Sequence, residues 1–212
     1  MFVLAPLHHQ LHLDNLLKQF RDQDLPTKRL IIVSDGFKKP LQDIPPGVVY
    51  SHQETKRGVG AARNECVRIA RELNPNERAA FLDCDDKYRR LYLSKVRKAL
   101  REYVGCGQGE FWQRNLLDKE EVLIGEGSAN QVSERGMAGG TLGFHLKYCV
   151  PFSETLQTGE DTAWCRDMRE ALLAEELQRE LEQQGLKAAL WSMSNYYYTK
   201  VNRGPNAGHT HP

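Results

Sequence analysis

The chain has 212 residues, 40% of them hydrophobic and 27% charged, which is enough for one full-sized core and too little for two large domains. Lys and Arg number 29 against 28 for Asp and Glu, a formal net charge of +1, so the cationic excess expected of non-specific nucleic-acid binding is missing. Five cysteines without a CxxC pair, a strand-like start at Phe2-Val3-Leu4 and no apolar run of the roughly 18 residues that span a membrane point to a reducing, cytoplasmic setting; peripheral membrane association is left open.

Phe2 to Ala5, closed by Pro6, and Leu30 to Val33, closed by Ser34-Asp35-Gly36, read as buried strands. Between them Leu13, Leu16, Leu17 and Phe20 fall on one helix face, with Asp14 in the first turn. Val48-Val49-Tyr50 predicts a third strand. A helix then starts near Gly60, with Ala62, Cys66, Ile69, Ala70 and Leu73 on one side, and stops at Asn74-Pro75-Asn76. Ala79 to Leu82 predicts a fourth strand that runs straight into Asp83-Cys84-Asp85-Asp86. Alternating units of this kind predict an α/β layer on a mostly parallel sheet, with ligands beyond the carboxyl ends of the strands.

Tyr88, Tyr92, Val96, Ala99, Leu100 and Tyr103 predict one amphipathic helix whose seven basic residues, from Lys87 to Arg101, form a solvated face. Asp86 is available to cap it. The Gly-rich stretch that follows contains Gly139-Gly140-Thr141, a backbone-close turn leading into a strand. One long helix is expected from about Thr162 to Gln184, ended by Gly185. Strand-like residues 186–198 and an irregular tail follow.

Asp83, Asp85 and Asp86 crowd three carboxylates into one turn, an arrangement that a cation relieves. Hard oxygen ligands on a turn suit Mg²⁺ or Mn²⁺, whose shells are completed by phosphate and water, so a phosphate-bearing partner is expected. A calcium EF-hand loop fails, because counting from Asp83 puts Tyr88 where glycine is needed and Ser94 where the closing glutamate is needed. Gly58-Val59-Gly60 sits at a helix start, where free N–H groups can meet an anion. Gly159-Glu160-Asp161-Thr162 puts acid into the first turn of the last helix.

In order and spacing these pieces resemble the family 2 glycosyltransferases. Val3 to Pro6 is similar to that family's first strand and proline, and Ile32 to Gly36 to its second strand ending in aspartate. Gly58 to Asn64 is similar to its glycine-to-arginine helix start, Phe81 to Asp86 to its metal motif, and Gly159 to Thr162 to its catalytic-acid motif. After Pro6 the chain carries Leu7-His8-His9 where the family commonly carries a polar set.

The resemblance implies a single α/β domain of GT-A type over residues 1–200, the nucleotide-diphospho-sugar transferase fold. Residues 1–103 would bind nucleotide, 104–200 would bind acceptor, and 201–212 would be a tail. It also implies donor-nucleotide contacts from Pro6, Asp35, Arg63 and Asp83, and a Mn²⁺ or Mg²⁺ ion on Asp83 and Asp85, with His209 or His211 as a candidate further ligand. Asp161 would be the general base of a single inverting displacement from a nucleotide-sugar donor, a UDP-sugar by preference. The hydroxyl acceptor would be a sugar or glycan in surface glycan or polysaccharide synthesis. Phe111, Trp112 and Trp164 are candidates for the acceptor pocket. Two alternatives are a sugar-phosphate nucleotidyltransferase, which would want a glycine-rich basic loop that Leu7-His8-His9-Gln10 does not offer, and a non-catalytic nucleotide- or glycan-binding module.

Overall fold

A computed structural model describes residues 1–109, 111–115, 121–124, 137–156, 159–193 and 198–202. In chain order the elements are β1 (Phe2–Leu7), α1 (Leu13–Asp22), β2 (Arg29–Asp35), β3 (Val49–Gln53), α2 (Val59–Leu73), β4 (Arg78–Phe81), β5 (Lys87–Tyr88), α3 (Tyr92–Ala99) and β6 (Tyr103–Gly107). They continue with β7 (Phe111–Asn115), β8 (Glu121–Ile124), β9 (Gly143–His145), α4 (Glu160–Ala171), α5 (Glu175–Gln183), β10 (Lys187–Ser192) and β11 (Tyr198–Asn202).

Among these residues the main sheet has seven strands in the order β10-β6-β9-β4-β1-β2-β3. β1 pairs in parallel with β2 and β4, β2 with β3, and β6 with β10. β9 is wedged antiparallel between β4 and β6. A smaller sheet, β5-β11-β7-β8, lies apart from it in the pairing.

Each central strand splits its side chains between two cores, which is why its sequence is a continuous apolar run rather than an alternation. Phe2, Leu4, Ile31, Val33, Ala79 and Phe81 join one core with Cys66 and Ala70 of α2 and Trp164, Cys165 and Met168 of α4. Val3, Ala5, Leu7, Leu30, Ile32 and Ala80 join the other with Leu16 and Leu17 of α1 and Leu93 and Val96 of α3. The sheet is therefore covered on both faces, as the alternating strand and helix pattern predicts.

Two expected helices differ in extent. The helix expected over 88–103 is shortened to α3. Tyr88 is drawn into β5, which pairs with β11, and Tyr103 opens β6. Asp86 lies too far ahead of α3 to cap it, and Leu91 occupies that place without a side-chain cap. The long helix expected over 162–184 is broken into α4 and α5 at Leu172-Leu173-Ala174. The N–H groups of Leu173 and Ala174 bond three residues back, to Glu170 and Ala171, and the Gln178 side chain caps the Leu172 carbonyl at 2.9 Å.

The apolar stripe explains the break. Met168 and Leu172 are one helical turn apart, as are Leu177 and Leu181, but Leu172 and Leu177 are five apart, and all four pack on the same core. A continuous helix would rotate the second pair away from that core. Gly185, at φ 69°, ends α5 as expected.

Candidate functional site

β4 delivers its chain to the carboxyl edge of the sheet, and the turn that follows is held by side chains from three directions. The Asp83 N–H donates to the Tyr88 hydroxyl at 2.8 Å, and that hydroxyl donates to the Gly140 carbonyl at 2.8 Å. Asn15 of α1 donates to the Cys84 carbonyl at 2.9 Å, while Gln19 accepts from the Tyr88 N–H at 2.8 Å and donates to the Asp86 carbonyl. Tyr88 and Gln19 thus fix a turn whose carboxylates would otherwise splay apart.

Arg63 of α2 organises what lies above the turn. Its side chain is only 3% exposed. Nη2 donates to Asp83 at 3.1 Å and Nη1 to Glu160 at 2.5 Å, a contact that spans 97 residues of sequence. The guanidinium carbon lies 5.3 Å from the Phe81 ring centroid and 5.6 Å from that of Phe152, a stacking that suits its planar, weakly hydrated cation. Burial alone would depress its pKa, but the charges of Asp83, Glu160 and Asp161 outweigh burial and raise it, so the cation is permanent.

The Gly139-Gly140 turn closes on this network. A Cβ on Gly139 would stand 2.5 Å from Arg63 Nη1, and one on Gly140 would stand 2.7 Å from both Asp83 Oδ2 and the Tyr88 hydroxyl. The Gly139 N–H donates to Asp161 Oδ2 at 2.9 Å, and the Thr162 N–H donates to Oδ1 at 2.8 Å. These two N–H groups aim the Asp161 carboxylate. Asp83, Glu160 and Asp161 are thus brought together around one guanidinium and one glycine turn. The sequence reading places Tyr88 on a helix face and Glu160 in the first turn of the last helix, and gives neither a role in the site. The signal that could have found Glu160 is its position beside Asp161, since a buried arginine needs more than one carboxylate edge.

Pro6 lies buried within β1, in register with Val33; the strand continues through Leu7 instead of ending at the proline. Asp35, at the end of β2, is 5% exposed. Its two oxygens accept the N–H groups of Arg57 and Gly58 at 2.7 and 2.9 Å, so it fastens the loop into α2. The two glycines of that loop have separate steric reasons. Gly58 has φ 96°, in the left-handed half of backbone space. Gly60 faces the Ser153 carbonyl so closely that a Cβ would sit 2.0 Å from its oxygen. Asn64 holds the same segment from α2, donating to the Phe152 carbonyl at 2.9 Å and accepting the Phe152 N–H at 2.7 Å.

Asp85 stands apart from the Arg63 network. Its side chain is 29% exposed, with an oxygen 3.8 Å from His8 Nε2. His8 Nδ1 lies 3.5 Å from the Cys84 thiol. Burial pushes that thiol up, and Asp85 and Asp83 reinforce the shift. An open carboxylate beside a second one already held by arginine fits a Mg²⁺ or Mn²⁺ ion, which takes one or two carboxylates and leaves the rest of its shell to phosphate and water.

Trp164 is fully buried in the core, its Nε1 donating to the Val150 carbonyl at 2.9 Å, and so is withdrawn from any acceptor pocket. The side chains of Phe111 and Trp112, and all of His209 and His211, lie outside the described residues.

The glycosyl transferase family 2 model matches residues 10–127, more than half of the chain. The chain belongs to this family. The single α/β domain with a mostly parallel seven-stranded sheet is of the GT-A type. The fold resembles the crystal structure of S. aureus TarS 1-349 in complex with UDP-GlcNAc, with a TM-score of 0.67 and 16% identity over 100% of this chain and 61% of that one. It also resembles the mannosyltransferase PcManGT from Pyrobaculum calidifontis in complex with GDP-Man and Mn²⁺, with a TM-score of 0.60 and 13% identity over 98% of this chain and 58% of the other. The chain thus spans about three fifths of these two structures. No curated protein sequence matches it.

Proposed function

We propose that this protein is a glycosyltransferase that moves a sugar from a nucleoside diphosphate, UDP by preference, to a hydroxyl of a sugar or glycan acceptor with inversion at the anomeric carbon. The observation that carries the reading is the Arg63 guanidinium bridging the Asp83 turn to the Glu160-Asp161 helix start, so that a cation-ready carboxylate turn and the Asp161 carboxylate are held on one network. Asp161 takes the acceptor proton, its oxygens aimed by the Gly139 and Thr162 N–H groups. Asp83 orients the donor nucleotide, and Arg63 acts from behind it as a positioning residue. Asp35, at the end of β2, and Pro6, within β1 in register with Val33, shape the base pocket. Asp85 holds Mn²⁺ or Mg²⁺, which when bound supplies Lewis-acid neutralisation of the diphosphate leaving group.

TarS bound to UDP-GlcNAc and PcManGT bound to GDP-Man and Mn²⁺ support a nucleotide-sugar donor and a divalent ion. Residues 1–103 serve as the nucleotide half, 104–200 as the acceptor half and 201–212 as a tail, with His209 or His211 as a further candidate ligand and surface glycan assembly as the pathway class. All five cysteines are free and buried, which supports a cytoplasmic setting.

Asp161→Asn tests the reading. With Mn²⁺ and UDP-sugars, transfer should fall by roughly 10²- to 10⁴-fold, the usual worth of a positioned base, while UDP binding by calorimetry stays within about twofold of the parent. Unchanged transfer would remove Asp161 as base. Absence of UDP or GDP binding in the parent would remove the donor assignment.

A further inference from the structure

His8, Cys84 and Asp85 are the one set of three metal-ligating side chains of different residues that meet among the described residues, with one ligand atom from each within 4.8 Å of the others. They differ from the rest of the acidic turn in chemistry. Asp83 is taken up by Arg63, whereas this trio joins a nitrogen, a sulfur and an oxygen.

We propose that the trio is a soft-cation site that binds a Zn²⁺-class ion through one His8 nitrogen, the Cys84 thiolate and one Asp85 oxygen, with a fourth position left to water or ligand. The spacing matches that ion. Metal–sulfur and metal–nitrogen bonds of about 2.3 and 2.0–2.1 Å at a tetrahedral angle separate the two ligand atoms by about 3.5 Å, and His8 Nδ1 lies 3.5 Å from Cys84 Sγ. One Asp85 oxygen lies within 4.8 Å of a His8 nitrogen and of the Cys84 sulfur, and its side chain is 29% exposed, so rotation of the carboxylate can bring that oxygen onto the same ion.

The donor set selects against a hard ion. Mg²⁺ takes oxygen only, while thiolate and imidazole favour zinc, cobalt and their neighbours. Charge also closes: thiolate and carboxylate together balance a dication, and the thiol proton leaves to water as the metal–sulfur bond forms. The Asn15 bond to the Cys84 carbonyl and the packing of Cys84 in the second core hold the sulfur in place.

The site rests on the proposed function only in sharing Asp85. An Asp85 carboxylate engaged by zinc is lost to Mn²⁺, so zinc acts here as a competitor that silences transfer rather than as its cofactor.

Cobalt(II) added to the apo protein provides a test that does not depend on catalysis. The expected result is the intense visible absorption of a tetrahedral ion together with a near-ultraviolet thiolate-to-cobalt band, both displaced stoichiometrically by Zn²⁺. Cys84→Ser should abolish the near-ultraviolet band, and His8→Ala should weaken Zn²⁺ binding by more than the roughly 10- to 100-fold that loss of a supporting outer partner costs. His8 is half-exposed, so its variant keeps the comparison available if Cys84→Ser fails to fold, and the parent spectrum needs no variant at all. Weak octahedral bands unaltered by either substitution would overturn the site. Transfer activity can be absent while the cobalt spectrum stands, and the converse also holds, so the two readings fail separately.

Discussion

At the scale of single residues, Arg63 has the largest energetic stake. It is a buried cation with two carboxylate partners and two aromatic faces, and removing one member of such a group strands the others in a poorly solvated place. Arg63→Met should therefore cost about 3–5 kcal/mol of stability. Arg63→Lys should recover only part of that loss, because an ammonium can neither span Asp83 and Glu160 nor stack on Phe81 and Phe152. Denaturant unfolding of the two variants beside the parent checks the order. The carboxylates of this site were legible in the sequence, because Asp83, Asp85 and Asp161 sit in short motifs at element ends. Glu160, Tyr88 and the burial of Arg63 were not. Their roles are set by contacts across 52 and 97 residues, and no local pattern encodes a partner at that separation.

At the scale of elements, the strands read well because burial on both faces leaves uninterrupted apolar runs, and the helices read less well where the stripe changes phase. The five-residue step from Leu172 to Leu177 was present in the sequence as the signal for the break between α4 and α5, and a helix-long average of apolar positions hides it. The pairing of β5 with β11 that shortens α3 is a different case, since its partner is a strand 111 residues further on from Lys87 to Tyr198. Gly60 tests how far local propensity can mislead. In an ordinary helix Gly→Ala gains about 1 kcal/mol. Here the new Cβ would meet the Ser153 carbonyl oxygen at 2.0 Å, so Gly60→Ala should instead destabilise by about 1–3 kcal/mol, the usual cost of overpacking. A raised melting temperature for this variant would contradict the close approach of α2 to the 152–154 segment.

At the scale of the whole molecule, the two cores on either side of one sheet make unfolding a single event to which every buried titratable group contributes. His145 in β9 is the clearest such group. Burial holds its imidazole below the ordinary 6.5, against the opposing pull of its bond to Leu100, and Nε2 donates as the neutral tautomer to the Leu100 carbonyl at 2.8 Å. The unfolded chain then binds this proton more readily than the folded one. The stability from neutral His145 is thus complete above about pH 6.5 and is lost as pH falls below it, by up to about 1.4 kcal/mol per unit until the folded pKa is reached. His145→Gln keeps a donor for Leu100 without the titration, so its stability should change less than the parent's between about pH 7.5 and about pH 5.5 when unfolding is followed at both.

The wedge position of β9 also bears on how the chain is made. β1, β2, β3 and β4 all come from the first 81 residues and pair with one another in parallel, so that half of the sheet can assemble while the rest is still on the ribosome. Its β4 edge then stays uncovered until residues 143–145 arrive to pair with it. An exposed strand edge invites pairing with a neighbouring nascent chain. Through this interval of synthesis Arg78, at the start of that edge, is the charge available to keep the edges of two unfinished molecules apart.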